Sequence, residues 1–367
     1  MDTSDPDIVF DENGLSDYYH NFQQTILPSW HTNETALNEL MKIADKIKKG
    51  KKNRDFDCII GLSGGLDSSY CAYVAKEIMG LRPLIFHVDA GWNTQQAVEN
   101  VECLVDGLNL DLYTEVINWE EIKDLQTAFL KSQIPDQDLV QDCAFFSALY
   151  QFARKHKINY VLTGGNYSTE CCREPEAWGG YPGIDKTLFN DIHKKFGTKL
   201  LKTFPLVDIL VYKIYYKYVL NMEVFKPLNY VPYLKADAEQ LLANKYGWQK
   251  FQHKHHESRF TRFYEDYWLP RKFGFEKRRA HFSSLILTGQ MTREEALERI
   301  AKPEMSEQFL EKEFEYVAHK LDLSVEQLRD IFNGQNKTYK DYANKMSAIK
   351  LGSNVMRMLG LEKRLFR

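Results

Sequence analysis

The sequence predicts an α/β fold, a doubly wound and mainly parallel sheet with a helical C-terminal region, and three observations predict it. Short apolar runs alternate with apolar-periodic segments of helical spacing from Phe56 to Leu162, the pattern of a sheet covered on both faces. The first run, Phe56-Asp57-Cys58-Ile59-Ile60-Gly61-Leu62, passes directly into the turn Ser63-Gly64-Gly65-Leu66-Asp67-Ser68-Ser69 and then into a helix. From Thr292 onward the chain reads as short capped helices, signalled by Thr292-x-x-Glu295 and Ser324-x-x-Gln327.

Residues 1 to 32 are rich in turn formers and acids, with Asp11-Glu12-Asn13-Gly14 as a turn, and read as an irregular arm. Leu37, Leu40, Met41, Ala44 and Ile47 give helical spacing from Glu34 to Lys52, closed by the basic run Lys48 to Arg54. After the glycine turn a helix runs through Met79. Strands follow at Leu84 to Val88, Leu112 to Val116 and Tyr160 to Leu162, and helices at Gln95 to Leu108, Glu120 to Leu130 and Asp142 to His156. The stretch from Phe204 to Val224, interrupted by Asp208, Lys213, Lys217 and Glu223, reads as an amphipathic helix. Gly179 to Lys195 reads as an excursion over the pocket. Its neighbours Trp178, Tyr181 and Phe189 either stack on a base or sugar or form a small core of their own. These readings divide the chain into an N-terminal arm and helix (1–53), an α/β domain (54–220) and a helical C-terminal region (221–367).

With 367 residues, 44% hydrophobic and 27% charged, the chain has the composition of a soluble protein of roughly two domains. Forty-eight Lys and Arg against 51 Asp and Glu leave a net charge of -3, so no global field favours nucleic acid, and any basic site is local. No signal peptide opens the sequence and no apolar run is long enough to span a bilayer. The six cysteines show no disulfide spacing. Together these predict a cytoplasmic protein.

In doubly wound sheets ligands bind beyond the carboxyl ends of the strands. Three loops fall there: the one at Ser63, His87-Val88-Asp89-Ala90-Gly91, and Thr163-Gly164-Gly165-Asn166. At the first, adjacent glycines let backbone N–H groups approach an anion while the next helix aims its N-terminus at the same point. Ser63, Ser68 and Ser69 add hydroxyls. The turn is neither a Walker A loop, lacking the lysine, nor a G-x-G-x-x-G fingerprint. A bare S-G-G would equally suit a plain capped turn; the whole string in its strand-turn-helix setting is more specific.

Ser63-Gly64-Gly65-Leu66-Asp67-Ser68 resembles the SGG-x-DS loop of the PP-loop (HUP-type) ATP pyrophosphatase superfamily, which adenylates an oxygen with ATP so that a nitrogen or sulfur nucleophile can displace it. The resemblance implies that Ser63, Gly64, Gly65, Asp67 and Ser68 hold ATP phosphates, with Asp67 and Ser68 catalytic and Asp67 also placing Mg²⁺. It further implies that Asp89, Gly164 and Gly165 contribute to the nucleotide site. A narrower resemblance spans most of the chain. Phe10-Asp11-Glu12-Asn13-Gly14, Gln141-Asp142, Thr163 to Glu170, His255-His256-Glu257-Ser258, Thr261-Arg262-Phe263-Tyr264, Leu269-Pro270-Arg271-Lys272-Phe273-Gly274 and Lys277 to Ala296 are similar to bacterial N-acetyl sugar amidotransferases of the WbpG/PseA type. That family acts in lipopolysaccharide O-antigen or flagellar glycan biosynthesis, so the resemblance implies conversion of an acetamido group of a nucleotide sugar to an acetamidino group. Members usually carry two CxxC pairs near the N-terminus. Here the first is absent and Ser16 and Tyr19 stand at the second, which predicts no zinc site.

The chemistry is consistent with those residues. Ammonia does not displace an amide oxygen until that oxygen is made a phosphate-type leaving group, so catalysis rests on positioning and charge stabilisation rather than a triad. None of the six cysteines has the setting of a glutaminase nucleophile. A partner glutaminase or free ammonia is therefore expected, and the resemblance implies partners similar to the glutaminase and cyclase subunits of imidazole glycerol phosphate synthase. The segment Phe251 to His281 holds eight Lys and Arg against four acids, with His253, His255, His256 and His281 among them. It suits either a phosphate- or carboxylate-bearing substrate or a solvated basic helix pair. Asn166, Glu170, His255, His256, Glu257, Arg262, Arg271, Lys272, Lys277 and Arg278 are the substrate-binding candidates. Two other readings stand beside this one: a PP-loop tRNA sulfurtransferase using Cys171-Cys172, and an ATP-binding regulatory module without catalysis.

Overall fold

Cys58, Ile59 and Ile60 are wholly buried because their strand lies in the middle of a sheet with helices on both faces. The computed structural model describes residues 1–50, 55–181, 184–209 and 211–358. Its five strands are β1 (Cys58–Gly61), β2 (Pro83–Asp89), β3 (Asp111–Val116), β4 (Tyr160–Leu162) and β5 (Glu223–Phe225), all parallel and ordered β3-β2-β1-β4-β5. Ile59 stands opposite Leu84 on one side and Val161 on the other. The chain thus winds outward from β1 through β2 to β3, then returns to the other flank with β4. The crevice between the carboxyl ends of β1 and β4 is where a ligand site forms in such sheets.

The arm is more regular than its composition predicts: α1 (Asp17–Asn21), capped by Ser16, continues through a π turn at Phe22–Ile26 that buries Phe22 and Ile26. Next, α2 (Glu34–Lys49) starts at the Asn33 cap and buries Leu40, Ala44 and Ile47. The rest of the basic run, Lys51 to Arg54, lies outside the described residues. With α3 (Leu66–Tyr73) and α4 (Gln95–Leu108), α2 covers the face onto which Ile60 and Ile85 point. The opposite face, with Ile59, Phe86 and Val161, is covered by α5 (Trp119–Ser132) and α6 (Leu139–Lys155). A short α7 (Tyr167–Glu170) follows the β4 turn.

At two places the structure departs from the sequence pattern. Among the described residues of Gly179 to Lys195 none lines either cavity described below: α8 (Lys186–Phe196) packs Leu188, Phe189 and Ile192 into the main core, with the Phe189 ring 4.7 Å from Phe129. Trp178 stacks on Phe275 at 5.8 Å, and Tyr181 meets Tyr339 at 5.0 Å. The apolar run at 204–224 is not one helix either. A helical segment covers Val211–Val219, Phe204 and Val207 are core residues ahead of it, and Glu223–Phe225 forms the edge strand β5. The pairing of β5 with β4, Leu162 opposite Phe225, makes it a strand.

Beyond the sheet, α9 (Lys235–Tyr246) leads to a loop and then to α10 (Arg259–Phe263) and α11 (Leu269–Phe273), joined by a π turn at Tyr264–Trp268. After α12 (Arg278–Leu287) and α13 (Arg293–Ile300) come α14 (Glu307–Lys320), α15 (Val325–Phe332) and α16 (Met346–Met358). Phe260, Phe263, Tyr267, Trp268 and Phe314 form a separate aromatic core with Trp92. This core joins the helical region to the loop after β2, where Arg259 N donates to Trp92 O at 2.8 Å. Among the described residues no helix is long and apolar enough to cross a membrane.

Candidate active site

Two glycines make the cradle possible. Gly64 has φ +85°, a left-handed conformation that favours glycine, and it abuts the Ala97 backbone. The Gly64 carbonyl is held from behind by Asn100 Nδ2 at 3.2 Å and Trp248 Nε1 at 3.1 Å. Gly164, after β4, presses on the next turn: a Cβ there would lie 2.5 Å from the Asp67 carbonyl carbon and 2.7 Å from Ser68 N. The β1 and β4 turns are thereby locked together.

Gly65 caps α3 without a side chain, so the first-turn N–H groups face a cavity of about 550 Å³. Of the residues expected at the nucleotide site, Ser63, Gly65, Asp67, Ser68, Gly164 and Gly165 line it, and Gly64 does not. Ser63 Oγ accepts from Gly65 N at 3.3 Å and donates to Glu257 Oε1 at 3.3 Å. Asp67 Oδ1 accepts from Asn166 Nδ2 at 3.2 Å and from the Tyr233 hydroxyl, while its Oδ2 lies 3.7 Å from Lys254 Nζ. Burial and the adjacent Asp67 carboxylate push the Tyr233 phenol well up, so it remains a donor. The other end of the cavity is apolar, with Phe146, Leu149, Tyr150 and Tyr212.

A second cavity of about 1140 Å³ adjoins the first. Thr169, Glu170, Lys226, Lys235, His253, Lys254, His255 and His281 line both. Lys254 Nζ bonds Glu170 Oε1 at 2.9 Å. Burial opposes both charges, yet each partner holds the other ionised: Glu170 is below its ordinary range and Lys254 above. His255 has φ +64° and is accessible from the cavity, and burial of its surroundings with the Lys254 cation lowers its pKa. Asn166, His256, Lys277 and Arg278 line the second cavity, together with Asp17, Tyr18 and Asn21 of the arm.

Several expected site residues are elsewhere. Asp89 lines neither cavity and caps its own turn, accepting from Gly91 N at 2.7 Å. It is the last residue of β2, one strand away from the β1/β4 crevice. Arg262 donates to the buried Glu313 at 2.7 Å, Arg271 forks onto Glu307 through two bonds of 2.6 Å, and Lys272 caps the carbonyls of Phe332 and Gly334. These three cations tie the C-terminal helices together and line neither cavity. Conversely, sequence reasoning passed over Lys226, Lys235 and Tyr233. They are single residues without motif spacing, and the strand that Lys226 follows shows itself only through its pairing with β4.

Around the second cavity the charges are strongly coupled. Burial works against the Glu304 carboxylate, but His253 with the guanidinium groups of Arg278 and Arg299 holds its pKa down at about 2. Near Lys277, burial pushes Asp136 and Glu265 up to about 7 and Asp142 to about 6, with Lys277 only partly opposing it. Among the described residues no group of three His, Cys, Asp or Glu could hold a metal ion. A magnesium ion that arrives with a nucleotide needs only one or two carboxylates, and Asp67 and Glu257 both line the first cavity beside the Ser63–Ser68 turn.

Two family models match the chain: NAD synthase over residues 38–204, and the C-terminal domain of LPS biosynthesis protein WbpG-like proteins over residues 257–356. A curated relative, one of the subunits of the glutamine-hydrolyzing GMP synthase of Methanosarcina barkeri, is 30% identical over 129 residues, 34% of this chain and 38% of the relative. The chain therefore spans well under half of that relative's length. Similar solved structures include an NH3-dependent NAD synthetase from Campylobacter jejuni, with 18% identity, TM-score 0.32, and coverage of 77% of this chain and 96% of that one. An NMN synthetase from Francisella tularensis has 18% identity, TM-score 0.29, and coverage of 60% and 88%. With the sheet order, the glycine cradle and the two matched segments in agreement, the chain carries an NAD synthase-type domain and a WbpG-like C-terminal domain.

Proposed function

We propose that this protein is an ATP-dependent amidotransferase of bacterial lipopolysaccharide or related glycan biosynthesis, which converts the acetamido group of a nucleotide-activated sugar to an acetamidino group. One observation carries the reading: residues of the WbpG-like segment, Glu257 and His281, line the cavity of the PP-loop, and the same segment supplies Lys277 and Arg278 to the cavity beside it. A nucleotide site and an acceptor site then share a boundary, as an adenylation between two substrates requires.

In this reading ATP lies in the first cavity, its β- and γ-phosphates against the Gly65–Ser68 N–H groups and the Ser63 and Ser68 hydroxyls, with its base toward the apolar end. A carboxylate beside a triphosphate is repulsive unless a cation intervenes, so Asp67 and Glu257 fit Mg²⁺ brought by the nucleotide, which would neutralise charge as pyrophosphate departs. Lys226, Lys235 and Lys254 add fixed positive charge on the same side. The acceptor lies in the second cavity with its acetamido oxygen turned toward the α-phosphorus. Attack by that oxygen releases pyrophosphate, and ammonia then displaces AMP. The ammonia comes from a partner glutaminase, similar to the glutaminase and cyclase subunits of imidazole glycerol phosphate synthase, or from free ammonium.

The test is ammonium-dependent turnover of ATP with a panel of UDP- and CMP-linked diacetamido sugars, following AMP and sugar mass together. Stoichiometric AMP with an oxygen-for-NH mass change supports the reading, and Asp67→Ala should abolish both products. AMP release without a change in any sugar would overturn it. The tRNA sulfurtransferase reading keeps one observation in its favour, because Cys171 and Cys172 line the second cavity. In that case tRNA, not sugar, would be modified, and Cys171→Ser or Cys172→Ser would block the transfer.

A further inference from the structure

The boundary between the two cavities carries an imidazole for which adenylation alone has no task. His281, in the first turn of α12, lines both cavities. Its ring meets Phe282 at 5.7 Å, and among the described residues its nitrogens have no hydrogen-bond partner. The groups around it are engaged or of the wrong kind. Glu170 is held by Lys254, His253 by Glu304, and His256 by Asp266 at 3.1 Å. His255 also lines both cavities, but it sits in a left-handed loop, not on a helix.

We propose that His281 is the base that takes the proton released when nitrogen adds to the activated acceptor. The inference rests on the amidotransferase reading. After adenylation the acceptor carbon is bonded to a methyl group, to the oxygen of AMP and, by a double bond, to the sugar nitrogen, which keeps its amide proton as a protonated imidate. The ammonia lone pair forms the new C–N bond, the C=N electron pair returns to the sugar nitrogen, and the adduct carries an ammonio group. A ring nitrogen of His281 takes one proton from that group. The freed pair forms C=N as the C–O bond breaks, and its electrons leave with AMP. Without a base at this point the ammonio group is itself the better leaving group, and the adduct reverts.

The surroundings keep the imidazole ready to accept. Besides burial, the groups that face it are Lys254 and His255 from the loop before α10, Lys235 from α9 and Arg299 from α13, with Glu170 of α7 already paired. Burial and this ring of cations set its pKa well below the ordinary value, so it is neutral at pH 7. A lysine in the same place would arrive protonated.

The experiment compares unaltered protein with His281→Gln in two assays: ATP–pyrophosphate exchange with the sugar but no ammonia, and amidine formation with ammonium, normalised to free ammonia. Exchange retained within about threefold, with amidine formation lowered roughly 10²- to 10⁴-fold, is the expected result. Unchanged amidine formation overturns the proposal, and equal loss in both assays overturns it in favour of a structural role. If unaltered protein gives neither exchange nor amidine with any sugar, the amidotransferase reading fails and this inference with it. A readout without substrate completes the test. In histidine-labelled protein, the ring resonance absent from His281→Gln should not titrate between pH 6 and 8; titration above pH 7 would refute the proposal.

Discussion

The contact between the two phosphate-side turns gives a direct perturbation, Gly164→Ala. A methyl at this position falls about 0.9 Å short of ordinary contact, since it would lie 2.5 Å from the Asp67 carbonyl carbon where 3.4 Å is comfortable. The obstructing atoms are backbone, so no rotamer relieves the clash, and the β4 turn and the start of α3 must separate. Overpacking of this kind costs about 1–3 kcal/mol. A displacement of about 1 Å in a positioning element costs roughly 10²-fold in rate. We expect Gly164→Ala to lower Tm measurably and to reduce pyrophosphate release by about two orders of magnitude at saturating ATP. Gly180→Ala is the control, because a Cβ there meets nothing within 4 Å, and it should stay within about 0.5 kcal/mol of the unaltered protein. Thermal unfolding and a pyrophosphate-release assay are sufficient. A Gly164→Ala protein with unaltered Tm and turnover would refute the packing argument, and one with lowered Tm but full turnover would separate the contact from catalysis.

Glu313→Ala should destabilise the C-terminal helices by about 3 kcal/mol or more in urea unfolding, because it strands Arg259 and Arg262, which share that buried carboxylate. Glu304 holds its carboxyl at about 2 against an ordinary 4.5, so its contribution is complete above pH 4.5 and is lost as pH falls toward 2. Glu304→Gln should therefore destabilise at pH 7 and flatten the acid limb of the stability curve, as read by unfolding at a series of pH values. Asp136 has the opposite sign. The unfolded chain gives up this proton near 3.8 and the folded one near 7, so stability is lost as pH rises through that window. Asp136→Asn should raise Tm at pH 8 and leave it unchanged below pH 3.8; an equal rise at both would indicate that packing, not ionisation, is responsible.

The centre of the sheet was legible because its local signals agree with its tertiary setting. The Cys58–Gly61 strand is apolar on both faces, its glycine turn permits little besides a helix start, and Gln95–Leu108 carries both a Thr94 cap and a clean periodicity. The edge strand β5 was not legible: three residues with Val224 half-exposed carry no alternation, and only pairing with Tyr160–Leu162 makes them a strand. The same limit applies to the basic segment. Composition showed that cations cluster between Lys254 and Arg279, but which of them face a cavity depends on helix orientation. Lys277 and Arg278 line the cleft, although Lys277 pairs with Glu174 and Glu265 and Arg278 bonds Glu276 and the carbonyls of Arg299 and Lys302, while Arg262, Arg271 and Lys272 lie away from it on Glu313, Glu307 and two carbonyls. Tyr233 could not have been singled out, since its hydrogen bond to Asp67 spans 166 positions.

Trp248 behind Gly64, Tyr233 on Asp67 and Glu257 beside Ser63 all reach the phosphate turn from chain beyond the fifth strand. The turn's motif is contiguous, but its shape is a joint property of two distant stretches of sequence. Transplanting residues up to 220 into an NAD synthase-type scaffold would carry the signature and leave its clasp behind. For the same reason, substitutions between Tyr233 and Glu257 can reshape the Ser63–Ser68 turn without touching any residue of its motif.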